Sequence, residues 1–284
     1  MLGHKLFQRL KKSHPDTCCT IRGLIHDDPL NNIGIFGPGH VIENCDVADW
    51  PGLHRLLSRL RPNILVNCVG VIKQRPEALE PLPSIEINAL LPHRLAAMCQ
   101  SWGGRLIHFS TDCVFSGLRG NYTEEDPSDA KDLYGRSKFL GEVSADGAIT
   151  LRTSIIGREL GHRGSLLEWF LKREGQRISG YTRAMFSGVT TTYLSQVVEN
   201  LIADFPRLAG VYQVTGSTIS KFDLLGLLRD AYQLDVDIIP DDTFVCDRSM
   251  KGDKFVQATG YACPDWRSLV VELASDDTPY DKRQ

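Results

Sequence analysis

The feature that most constrains the fold of this chain is the alternation of short apolar runs with amphipathic helical segments along its first half. The apolar runs include Ile64–Val69 and Arg105–Phe109, which have the length of strands, and helical patterns such as Leu53–Leu60 lie between such runs. Strands this apolar are typical of a parallel sheet that helices cover on both faces. The sequence therefore predicts a doubly wound α/β fold.

The pattern changes after residue 153. The stretch Gly157–Gly164 has the composition of a loop, and Gly175–Thr192 is mixed and interrupted by glycines. We predict a larger N-terminal domain over residues 1–153 and a smaller mixed part over residues 154–284, without a sharp boundary. A ligand cleft is expected between the two parts, because ligands often bind where domains meet.

Three local patterns in the second part predict structure. The run Ser220–Tyr232 predicts a helix that its first serine caps, with Asp223 placed nearly as in a capping box. Val236–Ile239 predicts a short strand that ends before Pro240. We expect the polar end of the chain, from Ser275 onward, to be frayed.

Composition excludes several classes of protein. The 284 residues include 32 basic and 35 acidic ones, a net charge of −3, which gives no reason to expect a nucleic-acid partner. No apolar run approaches the roughly 18 residues of a membrane helix. The eight cysteines include no C-x-x-C pair. We therefore expect reduced thiols in a cytoplasmic protein, and no metal site.

Polar and glycine residues follow two of the predicted strands. Cys68, Val69 and Gly70 come directly after one strand, and Gly70 allows the backbone to approach a ligand closely. The segment Ser110–Phe115 closes the next strand. In a doubly wound sheet, ligands bind beyond the carboxyl ends of the strands. These two segments therefore predict the position of the site.

Tyr134 and Lys138 open a predicted helix and, four residues apart, share one of its faces. A lysine ammonium near a phenol favours the phenolate, so we expect it to lower the pKa of Tyr134. The Thr111 hydroxyl is placed to bind the same substrate oxygen. Together these groups would protonate an alkoxide as hydride reaches a carbonyl carbon, or catalyse the reverse reaction. A Y-x-x-x-K spacing alone also fits a surface helix pair, and its order after the Ser110–Phe115 segment favours the catalytic interpretation.

With these residues the chain resembles the extended short-chain dehydrogenase/reductases, and within them the dTDP-4-dehydrorhamnose reductase-like sugar-nucleotide reductases. The resemblance implies an NAD(P)-binding Rossmann domain followed by a small sugar-nucleotide domain. The matching stretches are VNCVGVIKQ (66–74), SIEINALLPHRLA (84–96), RLIHFSTDCVFSG (105–117), GNYTEEDP (120–127), YGRSKFLGE (134–142) and ITLRTSIIG (149–157).

The resemblance also implies roles for individual residues. Tyr134 would be the acid/base, Lys138 would hold the nicotinamide ribose, and Thr111 would polarise the keto oxygen, with Ser110 as a less favoured stand-in. Further cofactor contacts are expected from Gly3, Asp46, Val47, Cys68, Val69, Gly70 and Ser110, although Asp46 also fits a helix-capping turn. Substrate contacts are expected from Asn88, Cys113, Phe115, Trp169 and Arg183, and Phe186 is an alternative to Trp169 for stacking. Arg183 is equally consistent with a solvated charge, and the two aromatic side chains with core packing.

The choice of cofactor depends on the end of the second strand of such a domain. An acidic residue there would bind the adenosine ribose and favour NAD. Here the predicted strand Cys18–Ile21 is followed by Arg22, whose guanidinium suits a 2′-phosphate. We therefore expect NADPH, with NADH as the alternative.

The expected substrate is a nucleotide-linked 4-keto-6-deoxysugar, reduced for the synthesis of a surface polysaccharide. Two other functions stay open: an epimerase with bound NAD, and a non-catalytic NADP-binding regulatory subunit. Related dehydratases carry Glu directly after the Asp of the STD motif, where this chain has Cys113, and this difference argues against dehydration. The reductases typically have Tyr there. The sequence leaves the sugar, the nucleotide and the oligomeric state undecided, a homodimer included.

The start of the sequence carries an expectation of its own. A dinucleotide-binding domain opens with a buried strand and a G-x-x-G-x-x-G turn, whereas here Met1 and Leu2 lead through Gly3 directly into a helical pattern. We assign Gly3 to the third glycine of that turn. We expect the native chain to begin roughly eight to twelve residues upstream, the length of one short strand and the turn. The sequence as given is expected to bind NADPH poorly, and a true truncation with an inactive or unstable product is the alternative.

Overall fold

The computed structural model describes residues 1–25, 33–37, 39–73, 79–160 and 164–280, so that part of the predicted loop Gly157–Gly164 and the last four residues lie outside it. The helices are α1 (Leu2–Ser13), α2 (Trp50–Leu60), α3 (Pro81–Pro83), a π-helix (Ser84–Leu90), α4 (Leu91–Ser101), a 3-10 turn (Asp112–Val114), α5 (Leu133–Leu140), α6 (Leu166–Phe170), α7 (Thr191–Asp204), α8 (Lys221–Tyr232), α9 (Asp253–Thr259) and α10 (Trp266–Ala274).

The strands form one larger sheet and several small ones. The larger sheet is parallel throughout, with the order β10-β5-β4-β3, and β1 with β2 forms a separate parallel pair. The strands are β1 (Cys19–Thr20), β2 (Val41–Ile42), β3 (Ile64–Asn67), β4 (Arg105–Thr111), β5 (Ala148–Thr153), β6 (Ile155–Ile156), β7 (Arg177–Tyr181), β8 (Ala184–Phe186), β9 (Val189–Thr190), β10 (Gly210–Gln213), β11 (Ile219–Ser220), β12 (Asp237–Asp241) and β13 (Cys246–Asp247).

Helices cover both faces of the larger sheet. Successive residues of a strand point to opposite faces, and in β4 Leu106 and Ile107 are both fully buried, in two different cores. Leu106 packs with residues of α2 and α4, such as Leu57 and Leu95. Ile107 packs with residues of α1, α7, α8 and α10. The predicted doubly wound α/β fold is confirmed, and β10 shows that residues after 153 help to complete the sheet.

Several predicted elements have different bounds. The sequence around Val41–Val47 predicts a strand, but β2 is only two residues long, because Asn44 has a left-handed φ of 53° that ends the extended conformation. The pattern from Ile85 to Trp102 predicts one helix, but this segment begins as a π-helix. The strand predicted to end before Pro240 continues through it to Asp241. Among the described residues it pairs only with β7, so the missing N–H of proline faces no second strand there.

The end of α5 lies very close to the π-helix. A Cβ on Gly141 would be 1.9 Å from the Asn88 carbonyl oxygen, so this contact requires glycine. The Asn88 amide donates to the Ser137 hydroxyl at 3.2 Å, and it binds both backbone groups of Val71 at 2.9 and 3.0 Å. These contacts fix the helix that carries Tyr134 against the loop after β3.

The expectation that the chain frays from Ser275 onward is wrong as far as Tyr280. Tyr280 is 4% exposed, and its hydroxyl lies 2.8 Å from His4 Nε2 and donates to Asp276 at 2.9 Å. Lys5 donates to Asp276 at 2.8 Å. The polar residues that looked typical of a free end are instead hydrogen-bonded to α1, a long-range contact that no local pattern reveals.

Replacing Tyr280 tests this packing. We expect Tyr280→Ala to lower the free energy of unfolding by about 3 kcal/mol, because a buried aromatic side chain is lost. Tyr280→Phe keeps the ring and removes only the hydroxyl contacts, so its expected cost is about 1 kcal/mol. Urea denaturation measures both changes. A cost below about 0.5 kcal/mol for Tyr280→Ala would show that the end of the chain is loose after all.

Candidate active site

The candidate site lies where β4 ends and α5 begins. Asp132 caps α5 by accepting the Gly135 N–H at 2.8 Å. A Cβ on Gly135 would be 2.2 Å from the Cys113 carbonyl oxygen, so glycine at this position lets the first turn of α5 pack directly on the turn after β4. The result is that Tyr134, in the first turn of α5, stands next to Thr111, the last residue of β4.

The Thr111 hydroxyl lies close enough to the Tyr134 phenol to lower its pKa, against the effect of burial. Thr111 also donates to Asp112 Oδ1 at 3.0 Å and accepts the Cys113 N–H at 3.1 Å, so its hydroxyl has a fixed position. Burial raises the pKa of Tyr134, and Cys113 adds to the rise. The expectation that Lys138 lowers this pKa is therefore wrong for this structure. Tyr134 is a neutral phenol that can donate a proton.

Lys138 is buried beneath the site. It is 6% exposed, and its ammonium donates to the Phe109 carbonyl at 2.6 Å. Burial lowers the pKa of Lys138 to about 8, while the nearby Glu142 carboxylate acts in the opposite direction. A lysine with this pKa is close to losing its charge at neutral to mildly basic pH.

A buried ion pair that the sequence analysis did not identify lies beside Lys138. Arg152 donates to both oxygens of Glu142, each at 2.8 Å, and the two side chains are 5% and 6% exposed. Ser110 donates to the same carboxylate at 2.6 Å, so its hydroxyl serves this cluster. The available signal was the spacing of Glu142, four residues after Lys138, although α5 ends before it at Leu140.

Two predicted cofactor segments meet above Lys138. A Cβ on Gly3, in the first turn of α1, would be 3.6 Å from Cys68 Cβ, so the start of α1 lies against the loop after β3. A Cβ on Gly70 would be 3.2 Å from Asn88 Oδ1 and 4.0 Å from Lys138 Nζ. The structure therefore brings Gly3, the loop from Cys68 to Gly70, and Lys138 to one edge of the sheet.

The other predicted cofactor residues follow β1 and β2. The Cys45 N–H donates to the Ile21 carbonyl at 2.9 Å. Arg22 follows Ile21 and Asp46 follows Cys45, so Arg22 and Asp46 lie on either side of this hydrogen bond. Both side chains are exposed. Asp46 accepts the Ala48 N–H at 2.9 Å, the capping-turn contact that the sequence left open, and Val47 is half-buried behind it.

The predicted substrate residues are not gathered in one place. Phe115 is fully buried and stacks on Tyr122 with ring centres 4.2 Å apart, so it offers no surface to a ligand in this structure. Asn88 is 1% exposed, and its amide is engaged within the protein. Trp169 packs against the main core, and Arg183 is exposed. Cys113 lies beside Tyr134, and burial raises the pKa of its thiol to about 12.

Phe186 is 5% exposed, and its ring lies 3.6 Å from the ammonium of Lys221. Sequence analysis did not single out Lys221, because nothing in the local pattern of α8 distinguishes it from a surface lysine. Only the pairing of β11 with β8, in which Ile219 lies opposite Phe186, brings Lys221 towards the site.

Two searches of the described residues gave negative results. No group of three or more His, Cys, Asp or Glu side chains is arranged to hold a metal ion in this part of the chain. No helix there is both long enough and apolar enough to cross a membrane.

Comparison with known proteins gives a family and a set of relatives. Residues 1–242 match the family described as RmlD substrate binding domain. The chain is 31% identical over 124 residues to methionine adenosyltransferase 2 subunit beta of Rattus norvegicus, a match that covers 42% of this chain and 36% of that protein. It is 29% identical over 184 residues to the spore coat polysaccharide biosynthesis protein SpsK of Bacillus subtilis (strain 168), covering 62% of this chain and 63% of that one. The matches thus span less than two thirds of either relative.

A solved structure shares the fold. The dTDP-4-dehydrorhamnose reductase of Bacillus anthracis str. Ames, in complex with NADP, superposes with a TM-score of 0.70 at 20% identity, covering 89% of this chain and 95% of that one. Because the family match extends over more than half of the sequence, it carries the assignment. The chain belongs to the RmlD substrate binding domain family of extended short-chain dehydrogenase/reductase-like proteins.

Proposed function

We propose that this protein is an NADPH-dependent reductase of a nucleotide-linked 4-keto-6-deoxysugar. The observation that carries the proposal is the placement of Tyr134, in the first turn of α5, next to Thr111 at the end of β4, with the buried ammonium of Lys138 one helical turn away. Membership of the family and the fold shared with a dTDP-4-dehydrorhamnose reductase support it. The relative named for spore coat polysaccharide biosynthesis supports a role in polysaccharide synthesis.

The residues present fit a nicotinamide dinucleotide. Gly3 and Gly70 leave space at the sheet edge above Lys138 that a Cβ would fill, and we propose that a dinucleotide binds there. Residues 1–153 would supply this site, and residues 154–284 most of the contacts to the sugar nucleotide. When bound, the dinucleotide supplies the hydride.

The chemistry of the protein is proton transfer. Tyr134 is protonated because burial raises its pKa, so it can donate its proton to the oxygen of a carbonyl that is being reduced. Thr111 would hold that oxygen by turning its hydroxyl proton from Asp112 Oδ1 towards it, while its own oxygen keeps the Cys113 N–H. Lys138, one turn further along α5, would hold the nicotinamide ribose through its buried ammonium. The Glu142–Arg152 pair lies beside Lys138, and the Glu142 carboxylate favours its charged form.

A panel of 4-keto-6-deoxysugar nucleotides, linked to dTDP, UDP or GDP, tests the proposal. The purified chain is mixed with NADPH and each sugar nucleotide, and the loss of NADPH absorbance is followed. We expect turnover with at least one of them. Binding without turnover across the panel would overturn the reductase proposal.

A second candidate function is a non-catalytic, dinucleotide-binding subunit. The match to a protein named as a subunit of methionine adenosyltransferase 2 favours it. This candidate predicts that Tyr134→Phe changes neither dinucleotide binding nor any function of the assembly. An epimerase would instead purify with tightly bound NAD, which the absorbance spectrum of the purified protein would show.

Tyr134→Phe tests the proton donor. We expect kcat to fall about 10²- to 10⁴-fold, because the general acid is removed. The KM for NADPH should change less than twofold, since the lost hydroxyl meets the substrate. The matched control is Tyr261→Phe, because the Tyr261 hydroxyl donates to Asp204 and not to a group of the candidate site. Near-normal turnover in Tyr134→Phe would contradict the assignment.

Arg22→Ala tests cofactor choice. We expect the affinity for NADPH to fall about tenfold or more, with little change for NADH, because only NADPH carries the phosphate that a guanidinium binds through two hydrogen bonds. Arg59→Ala, an exposed arginine of α2, is the control. Titration of each dinucleotide by fluorescence measures the effect. An equal loss for both dinucleotides would mean that Arg22 acts on the fold.

The pH dependence of activity tests Lys138. Its pKa of about 8 means that the ammonium is present below pH 8 and lost above it. We therefore expect kcat/KM for NADPH to decline as the pH rises through about 8. Lys138→Arg keeps the charge at high pH, so its profile should be lower but flat over the same range. A wild-type profile that stays flat up to pH 10 would argue against this role.

A further inference from the structure

Lys221 occupies a position that is unfavourable for a cation. It is the first residue of α8, directly after the cap Ser220. The amino end of a helix carries the positive end of the helix dipole, which disfavours a positive side chain. Burial also lowers the pKa of Lys221 to about 8. The helix dipole and burial therefore both disfavour the charged form of Lys221.

The ammonium of Lys221 has little to compensate it. With the described residues it forms no hydrogen bond and no ion pair, and its direct contact is the ring of Phe186 at 3.6 Å. The nearby carboxylate of Asp223 is taken by the Ser220 hydroxyl at 2.6 Å. Arg248, on the same side of the site, differs because its Nε donates to the Phe115 carbonyl at 2.9 Å. A partly buried ammonium to which none of the described residues is hydrogen-bonded has donors available for a ligand.

The surroundings of Lys221 show which end of a ligand it would meet. β8, which pairs with β11 directly before Lys221, also pairs with β13, and the Asp247 N–H of β13 donates at 2.8 Å to the Gly117 carbonyl in the segment after Thr111. In this arrangement the charge of Asp112 acts on Lys221, and Asp112 accepts a hydrogen bond from Thr111. Cys113, the next residue, also lies near the ammonium and is a neutral thiol. Lys221 therefore stands on the side of Thr111 and Tyr134 where the reacting carbonyl is proposed to bind.

We propose that Lys221 is a substrate-binding residue that donates hydrogen bonds to an oxygen of the sugar ring, at a position adjacent to the carbonyl that is reduced. This inference rests on the proposed function and adds to it a requirement on the substrate. The Lys221 ammonium as donor and the Asp112 carboxylate as acceptor would together match a ring hydroxyl, which both accepts and donates. The sugar, rather than the diphosphate, is the group recognised, because Lys221 adjoins the residues that follow Thr111.

The test replaces Lys221 with Met, which has a similar length and a high helix propensity but no charge. Lys254→Met is the matched control, because Lys254 is an exposed lysine whose ammonium lies 5.1 Å from the Tyr212 ring. For the sugar nucleotide that the wild type reduces, KM and kcat are measured with saturating NADPH. Calorimetry then gives the affinity for the corresponding nucleoside diphosphate alone, and thermal unfolding gives Tm.

We expect Lys221→Met to raise the KM for the sugar nucleotide about ten- to a hundredfold, because a hydrogen bond from a charged donor is lost. The KM for NADPH and the affinity for the nucleoside diphosphate should each stay within twofold. Tm should rise or stay the same, because an uncompensated cation is removed. Lys254→Met should leave all of these values unchanged.

Three results would overturn the proposal. An unchanged KM for the sugar nucleotide in an active enzyme would show that Lys221 does not bind it. An equal loss of affinity for the nucleoside diphosphate would place Lys221 at the diphosphate. A lower Tm together with weaker binding of both substrates would make Lys221 structural. A wild type that neither turns over nor binds any sugar nucleotide would instead reject the proposed function, and this inference with it.

Discussion

The site depends on the complete burial of β4. All seven residues from Arg105 to Thr111 are buried, with β3 and β5 on either side and a separate hydrophobic core on each face. A strand held from four directions cannot shift along its axis without exposing apolar surface on both faces. Its last residue, Thr111, therefore has a fixed position, and α5 packs its first turn against the segment that follows.

Buried charge is the second property of this site. Lys138, Lys221 and the Glu142–Arg152 pair all lie in or next to it, and burial lowers the pKa of both lysines. The ion pair is compensated by its two short hydrogen bonds, and Lys138 by a backbone carbonyl. Lys221 has no such compensation among the described residues. Charges retained against this cost are typical of functional sites.

Much of the fold could be predicted because its signals are local. The helices of the first half were found from the spacing of leucines, and the helix after Ser220 from its cap, which the structure confirms with a hydrogen bond of 3.0 Å from the Asp223 N–H to the Ser220 hydroxyl. The predictions that were wrong concern segments whose structure depends on residues far away in the chain. The end of the chain is ordered because Tyr280 meets α1, and β12 passes through Pro240 because it lies at an edge.

The sequence by itself determined the fold class, the family and the residues proposed for proton transfer, because a strand period, a helix period and a Y-x-x-x-K spacing are all written in neighbouring residues. Only the tertiary structure decided the electrostatics of those residues. Burial raises the pKa of Tyr134, where the spacing alone had suggested that Lys138 would lower it. The tertiary structure also brought Lys221 to the site, through the pairing of β11 with β8. Desolvation depends on everything that surrounds a group, and that is set by contacts between residues far apart in the chain.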